Sequence, residues 1–267
     1  MRRQLIAICV AAMFLSGCSS PPAQPAANGA DPGADPSSAG PGAVTPVADS
    51  AAAMLDWGAP IAGDEFNYTG QPDDSKWSVY DSSGHAGNGV RSPAQVTVDG
   101  SQMVINGTPD GISAGMSAKF GRQKYGRWEV RAAGSGDDAY HMVAILWPDS
   151  GNWPCDGEVD YMETTGNWGL INFFHHYGCS NSKTSVSRAL DLTQFHNYAV
   201  DWTPDAIVGY VDGVKWFEDH DSAHQPPGSM HQTLQLDWFP DNVTADGPGE
   251  MRVDWVRVYP AAGSPRL

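Results

Sequence analysis

The sequence predicts an all-β domain built as a sandwich of two antiparallel sheets, and three observations predict it. Short runs of alternating apolar and polar residues recur along the chain, with turn residues between them. No amphipathic stretch supports a helix of three turns. Glycine and proline are abundant, at 30 and 20 of 267 residues, as a fold with many turns requires. With 41% hydrophobic residues the chain can bury a sizeable core. About 210 residues of β pattern without a helical layer favour one two-sheet domain.

The N-terminus is read apart from this domain. Arg2 and Arg3 precede an apolar run from Leu5 to Leu15, too short to span a bilayer and suited to an export signal over residues 1–17. Leu15-Ser16-Gly17-Cys18 resembles a bacterial lipobox. By that resemblance Cys18 becomes a diacylated N-terminus, and two acyl chains anchor stably where one is marginal. An ordinary signal peptide cut nearby is the other reading. Either way the protein is expected to be exported, held at the outer face of the bacterial membrane or released. Residues 18–54 are rich in Pro, Ala, Gly and Ser with no apolar period, so a disordered tether is expected there. The folded domain is expected over 55–267.

Net charge is −16 and becomes −18 when the signal takes its two arginines away. Such acidity argues against nucleic acid and anionic membrane surfaces as partners. The membrane is reached only through lipid on Cys18, and a monomer acting on a polysaccharide is expected. Cys9 leaves with the signal and Cys18 takes lipid. Cys155 and Cys179 remain in an oxidising compartment and are expected to form a disulfide.

The strands follow in order. Val96–Gly107 holds two alternating runs around Asp99-Gly100, and Ile207–Glu218 holds two more around a type I′ turn at Asp212-Gly213. Further strand-like runs lie at 126–132, 141–147, 158–163, 171–176, 196–202, 233–238 and 251–259. Ten tryptophans exceed what a core needs, so some are expected to line a cleft.

One run is unusual. Asp156 to Gly166 reads DGEVDYMETTG, a strand pattern carrying carboxylates that should repel. Glu158 and Asp160 share a face by alternation, and Glu163 falls on the other. One extra residue, a bulge near Tyr161-Met162, returns Glu163 to the first face. Glu158 and Glu163 then stand about 13 Å apart at Cα, leaving roughly 5–7 Å between inward-leaning carboxyls. A retaining glycosidase needs about 5–5.5 Å. Asp160 between them hydrogen-bonds and repels, holding one carboxyl ionised and one protonated. A solvated acidic face and a calcium site are the competing readings of the pattern.

Glu158-Val-Asp-Tyr-Met-Glu163 resembles the bulged signature of glycoside hydrolase family 16, which includes laminarinases, lichenases, agarases and carrageenases. Ser113–Ala132, Ile145–Glu163, His196–Gly213 and Val253–Tyr259 are similar to further family segments in the family's order, over roughly residues 57–260. The resemblance implies a β-jelly roll of two curved sheets, the concanavalin-like fold, with substrate lying across the concave one. It implies Glu158 as nucleophile, Glu163 as general acid/base and Asp160 as their modulator. Trp153 matches a Trp that borders the cleavage subsite. The family often carries a His near the acid/base on the next strand, and of His175 and His176 the latter is favoured. Leu234 and Leu236 read as core, which turns Gln235 and Asp237 toward the cleft, where the family usually has Asn and Trp. Trp147 and Trp168 are further substrate-binding candidates. Asp254 lies where relatives often bind a structural Ca²⁺, and catalysis itself requires no cofactor. The implied activity is retaining endo-hydrolysis of a β-linked polysaccharide, with β-1,3-glucan the first expectation. A transglycosylase on the same residues and a non-catalytic carbohydrate-binding protein are the alternatives.

Overall fold

The computed structural model describes residues 47–263. The signal segment, Cys18 and tether residues up to 46 lie outside them. Two large antiparallel sheets, of seven and nine strands, face each other as a jelly roll. The seven-stranded sheet runs, edge to edge, through Ser182–Ala189, Leu170–Tyr177, Glu158–Glu163, Tyr140–Pro148, Met230–Trp238, Gly115–Ala118 and Trp77–Val79. The backbone of the nine-stranded sheet is the pair Gly126–Gly136 and Gly249–Tyr259, flanked by His196–Trp202 and Met103–Gly107.

Alternation decides which side chains face which layer. On Tyr140–Pro148, Tyr140, Met142, Ala144 and Leu146 point into the space between the sheets and are fully buried. His141, Val143, Ile145 and Trp147 point the other way. On Met230–Trp238, Met230, Leu234 and Leu236 join the same core, while Thr233, Gln235 and Asp237 face out. The opposing sheet supplies Trp128, Val130, Val200, Trp202, Val256 and Val258. Phe173 stacks on Phe217 across the layers at 3.9 Å.

The predicted strands are all present, most of them longer at one or both ends. Asp212 and Gly213 both have positive φ, at 49° and 68°, as the type I′ turn requires. Ser182–Ala189 was not legible. Its side chains are polar on both faces, because it is the edge strand of the cleft sheet and packs little core.

The tether boundary needs correction. Residues 47–54, expected to be disordered, dock onto the domain. Ser50 caps a short helix, Ala51–Met54, and Ala51 and Ala52 are buried. Their backbone N–H groups donate to the Glu129 carboxylate, at 2.6 Å to Oε1 and 3.3 Å to Oε2. The signal for this contact lay in Glu129, a charged residue between Trp128 and Val130 in the strand Gly126–Gly136.

Burial pushes the Glu129 carboxyl from 4.5 up to about 7, against the pull of those two N–H groups and of Arg257. Its folded-state pKa exceeds its unfolded value, so the folded protein binds the extra proton. Stability from this group is fully present below about 4.5 and is lost as pH rises through about 7. Relative to Glu129→Gln, the native protein should gain up to about 3 kcal/mol between pH 8 and pH 4.5. Thermal unfolding of both proteins across that range checks it. Parallel pH curves for the two would refute the assignment.

Candidate active site

The strand Glu158–Glu163 lies third in the seven-stranded sheet, between Leu170–Tyr177 and the central strand Tyr140–Pro148. It starts at Gly157, whose φ of 80° sets the turn into the strand and whose missing Cβ lets the carbonyl of His176 come close. Pairing with both neighbours slips by one residue within the strand. Ile145 faces Asp160 and Ala144 faces Met162, while Asp160 faces Phe174 and Glu163 faces Asn172. One residue is therefore extra between Asp160 and Glu163. Tyr161 and Met162 both sink into the core, where the Tyr161 hydroxyl meets the Gln232 amide. Glu158, Asp160 and Glu163 all emerge on the outer side, as the bulge predicts.

That side is a cleft of about 590 Å³. Trp147, Trp153, Glu158, Asp160, Glu163, His176, Gln235 and Asp237 all line it. Trp153 donates Nε1–H to Glu158 Oε2 at 2.7 Å. Its ring stacks on Trp147 at 6.2 Å and 14°, forming a flat apolar wall beside the carboxylate. His176 Nε2 lies 3.6 Å from Asp160 Oδ2, and its Nδ1 donates to Asn181 Oδ1 at 2.7 Å. The neighbouring His175 faces the core instead, donating to Asp219 at 3.0 Å, so His176 is the cleft histidine.

Burial drives the electrostatics. Asp160 is pushed well above the usual carboxylate range by burial, and the charges of Glu158 and Glu163 add to the push. It therefore keeps its proton and donates it to Glu158 in a hydrogen bond. Burial also raises Glu158, but His176, Asp160 and Trp153 all favour its charged form. Both members of the pair are raised, Asp160 the more, and the hydrogen bond between them favours the charged form of Glu158. The ligand atoms of Glu158, Asp160 and His176 lie within 4.8 Å of one another, close enough for a small cation. Glu158 Oε2 already accepts the Trp153 indole N–H there.

Two candidates fall elsewhere. Trp168 does not reach the cleft. The chain turns back after the catalytic strand, and its ring packs on the core against Gly134 of the other sheet. Asp254 lies on the nine-stranded sheet and pairs with Arg131 at 3.1 Å. Among the described residues no group of three acidic or imidazole ligands forms around it. Asp237 is in the cleft floor but is not free, since Arg91 clamps its Oδ1 at 2.6 and 3.1 Å.

The cleft also holds residues that sequence reasoning missed. Tyr80 and Arg91 arrive from segments with no strand signal of note, and Phe239 follows the last residue of a strand. His141 is not among the lining residues but lies beside Glu163, and it was within reach, since it alternates with Val143, Ile145 and Trp147 on a strand that was recognised.

Cys155 and Cys179 are bonded, as expected. The bridge joins the loop before the catalytic strand to the turn after the next one. Its 24-residue separation corresponds to roughly 3–4 kcal/mol of chain entropy. Reduction should lower the unfolding temperature and, by loosening the segment that carries Trp153, activity as well. Two free thiols at Cys155 and Cys179 in the oxidised, exported protein, counted under denaturing conditions, would overturn this.

An acidic trio in an aromatic-walled trough across a jelly-roll sheet defines a carbohydrate-processing protein. The profile of glycosyl hydrolases family 16 matches residues 85–257, and the chain belongs to that family. It is 30% identical over 229 residues to the keratan-sulfate endo-1,4-beta-galactosidase of Sphingobacterium multivorum, covering 74% of this chain and 54% of that one. It is 29% identical over 250 residues to a beta-glucanase of Rhodothermus marinus, covering 74% and 84%. The chain thus spans about half the length of the first relative and most of the second. The catalytic domain of an endo-1,3-beta-glucanase (laminarinase) from Thermotoga petrophila RKU-1 superposes with a TM-score of 0.67 at 20% identity, covering 77% of this chain and 98% of that domain.

Proposed function

We propose that this protein is a retaining endo-glycosidase that hydrolyses a β-linked polysaccharide, β-1,3-glucan in the first instance. The observation that carries the reading is the placement of Glu158, Asp160 and Glu163 on one face by a single extra residue. Glu163 protonates the glycosidic oxygen while the Glu158 carboxylate attacks the anomeric carbon. Water then attacks the glycosyl-enzyme, giving its proton to Glu163. The stacked Trp147 and Trp153 offer a surface for sugar C–H faces beside the nucleophile.

The extra residue between Asp160 and Glu163 supports reading the chain as a bulged member of the family. Names of relatives supply the glucan reading, and the galactosidase relative together with Gln235 and Asp237 adds β-galactans to the panel. A binding protein would have no use for a buried proton shared between two carboxyls. We read the N-terminus as that of an exported lipoprotein anchored through Cys18.

The test is a panel of β-1,3-, mixed-linkage and β-1,4-glucans and galactans, with products identified by size and anomeric form. Release of β-anomers from internal cleavage supports the reading. Initial α-anomers, or binding without cleavage of any polymer, would overturn it.

A further inference from the structure

Glu158 and Asp160 are held from several sides, but Glu163 is not. Among the described residues no hydrogen bond reaches its carboxyl. Its nearest titratable neighbour outside the catalytic strand is His141, whose Nδ1 lies 3.8 Å from Glu163 Oε1. That nitrogen is buried and has no hydrogen-bond partner. Buried polar atoms are nearly always bonded, so an orphan beside a reactive carboxyl asks for a function. The imidazole is also held in place. It stacks on Phe239 at 4.1 Å and 27°, and Phe239 in turn meets the ring of His85 at 4.8 Å. The sheet register brings the pair together, since Val143, two residues after His141, lies directly opposite Glu163.

We propose that His141 is the positioning residue of Glu163, on the reading of Glu163 as acid/base. When substrate fills the cleft, the neutral imidazole donates Nδ1–H to Oε1, and Oε2 becomes the oxygen that handles the reacting proton. In the first half-reaction Oε2–H gives its proton to the glycosidic oxygen. That oxygen keeps the electron pair of the breaking C1–O bond, and Glu158 supplies the pair for the new one. In the second, water bonds to C1 and passes a proton to Oε2, while the bond to Glu158 breaks and its pair returns to that carboxylate. Oε1 accepts from Nδ1–H in both states, so one contact serves both steps.

A charged imidazole would act differently, because a cation beside Glu163 favours its carboxylate and removes the acid. The groups facing the pair are Glu158 and Asp160 on the catalytic strand, Asp237 opposite His141 in register, Arg91 on Asp237, and His85 beyond Phe239.

Two substitutions test this. His141→Phe keeps a ring to stack on Phe239 and removes the N–H. His141→Asn places an N–H near the position of Nδ1. On polysaccharide, His141→Phe should lose roughly 10- to 100-fold in kcat with little change in KM. On an oligosaccharide with a 2,4-dinitrophenyl leaving group, which needs no acid, its loss in kcat/KM should shrink to about threefold or less. His141→Asn should recover most of the kcat and lack the low-pH limb that imidazole protonation produces. Unimpaired His141→Phe, or a loss equal on both substrates, would overturn the proposal. Glu163→Ala is measured alongside. If it is inactive while His141→Phe is unimpaired, the positioning role alone falls. If Glu163→Ala keeps full activity, the acid/base reading falls and takes this role with it.

Discussion

Glu158→Ala and Glu163→Ala are each expected to lower turnover of polysaccharide by several orders of magnitude. Each removes one member of a pair whose two steps share an intermediate, so neither can cover for the other. The two losses differ in kind, and azide separates them. With an activated leaving group, Glu163→Ala still forms the glycosyl-enzyme on Glu158, because no acid is needed for departure. Azide fits the space left by the Glu163 carboxyl and attacks without base help, so that variant should be rescued and should yield the β-azide. Glu158→Ala has no nucleophile and cannot give a β-azide by this route. Near-normal hydrolysis by either alanine variant would remove the assignment, and a β-azide from Glu158→Ala would exchange the roles.

The structure adds an asymmetry that supports this division. Glu158 accepts hydrogen bonds from the Trp153 indole N–H and from Asp160, the environment of a carboxylate that must remain an anion until it attacks. Glu163 has the imidazole of His141 at 3.8 Å and space toward the cleft, which suits a group that gives and takes a proton.

Much of this was legible because the catalytic chemistry lies within a regular element. A strand fixes the direction of every side chain from one phase, so Glu158, Asp160, Gln235 and Asp237 could be sent to one face by counting. Alternation sends only one of His175 and His176 to the cleft, and the structure puts His176 there. Reading failed where position depends on partners far along the chain. Trp168 has the composition of a sugar platform, yet the turn after Glu163 carries it back onto Gly134. Arg91 reaches Asp237 across 146 positions, and no periodicity encodes that contact. Residues 50–52 looked like tether because small residues carry no apolar signal. What docks them is backbone N–H meeting a buried carboxylate, which depends on Glu129 and not on their own side chains.

The bulge itself is expected to be worth nearly all of the activity. One residue inserted between Met162 and Glu163 shifts the phase by one and turns the glutamate toward the layer that buries Tyr161 and Met162. A carboxylate there has no partner, and leaving one unpaired between the sheets costs several kcal/mol. The insertion should therefore abolish activity whether the strand keeps its register or distorts to release the charge. Deletion of Met162 is the complementary change. It gives Glu-x-Asp-x-Glu, where plain alternation keeps all three carboxyls on the cleft face at an effective separation of four residues. Its cost is the buried Met162 side chain, roughly 2–5 kcal/mol of stability, and not the geometry of the pair. A folded deletion variant should keep measurable hydrolysis while the insertion variant has none. Circular dichroism and thermal unfolding establish which variants fold, and product release from β-1,3-glucan reads the rest. Full activity in a folded insertion variant would show that the carboxylates do not depend on strand phase. Complete inactivity of a folded deletion variant would show that the extra residue does more than restore the face.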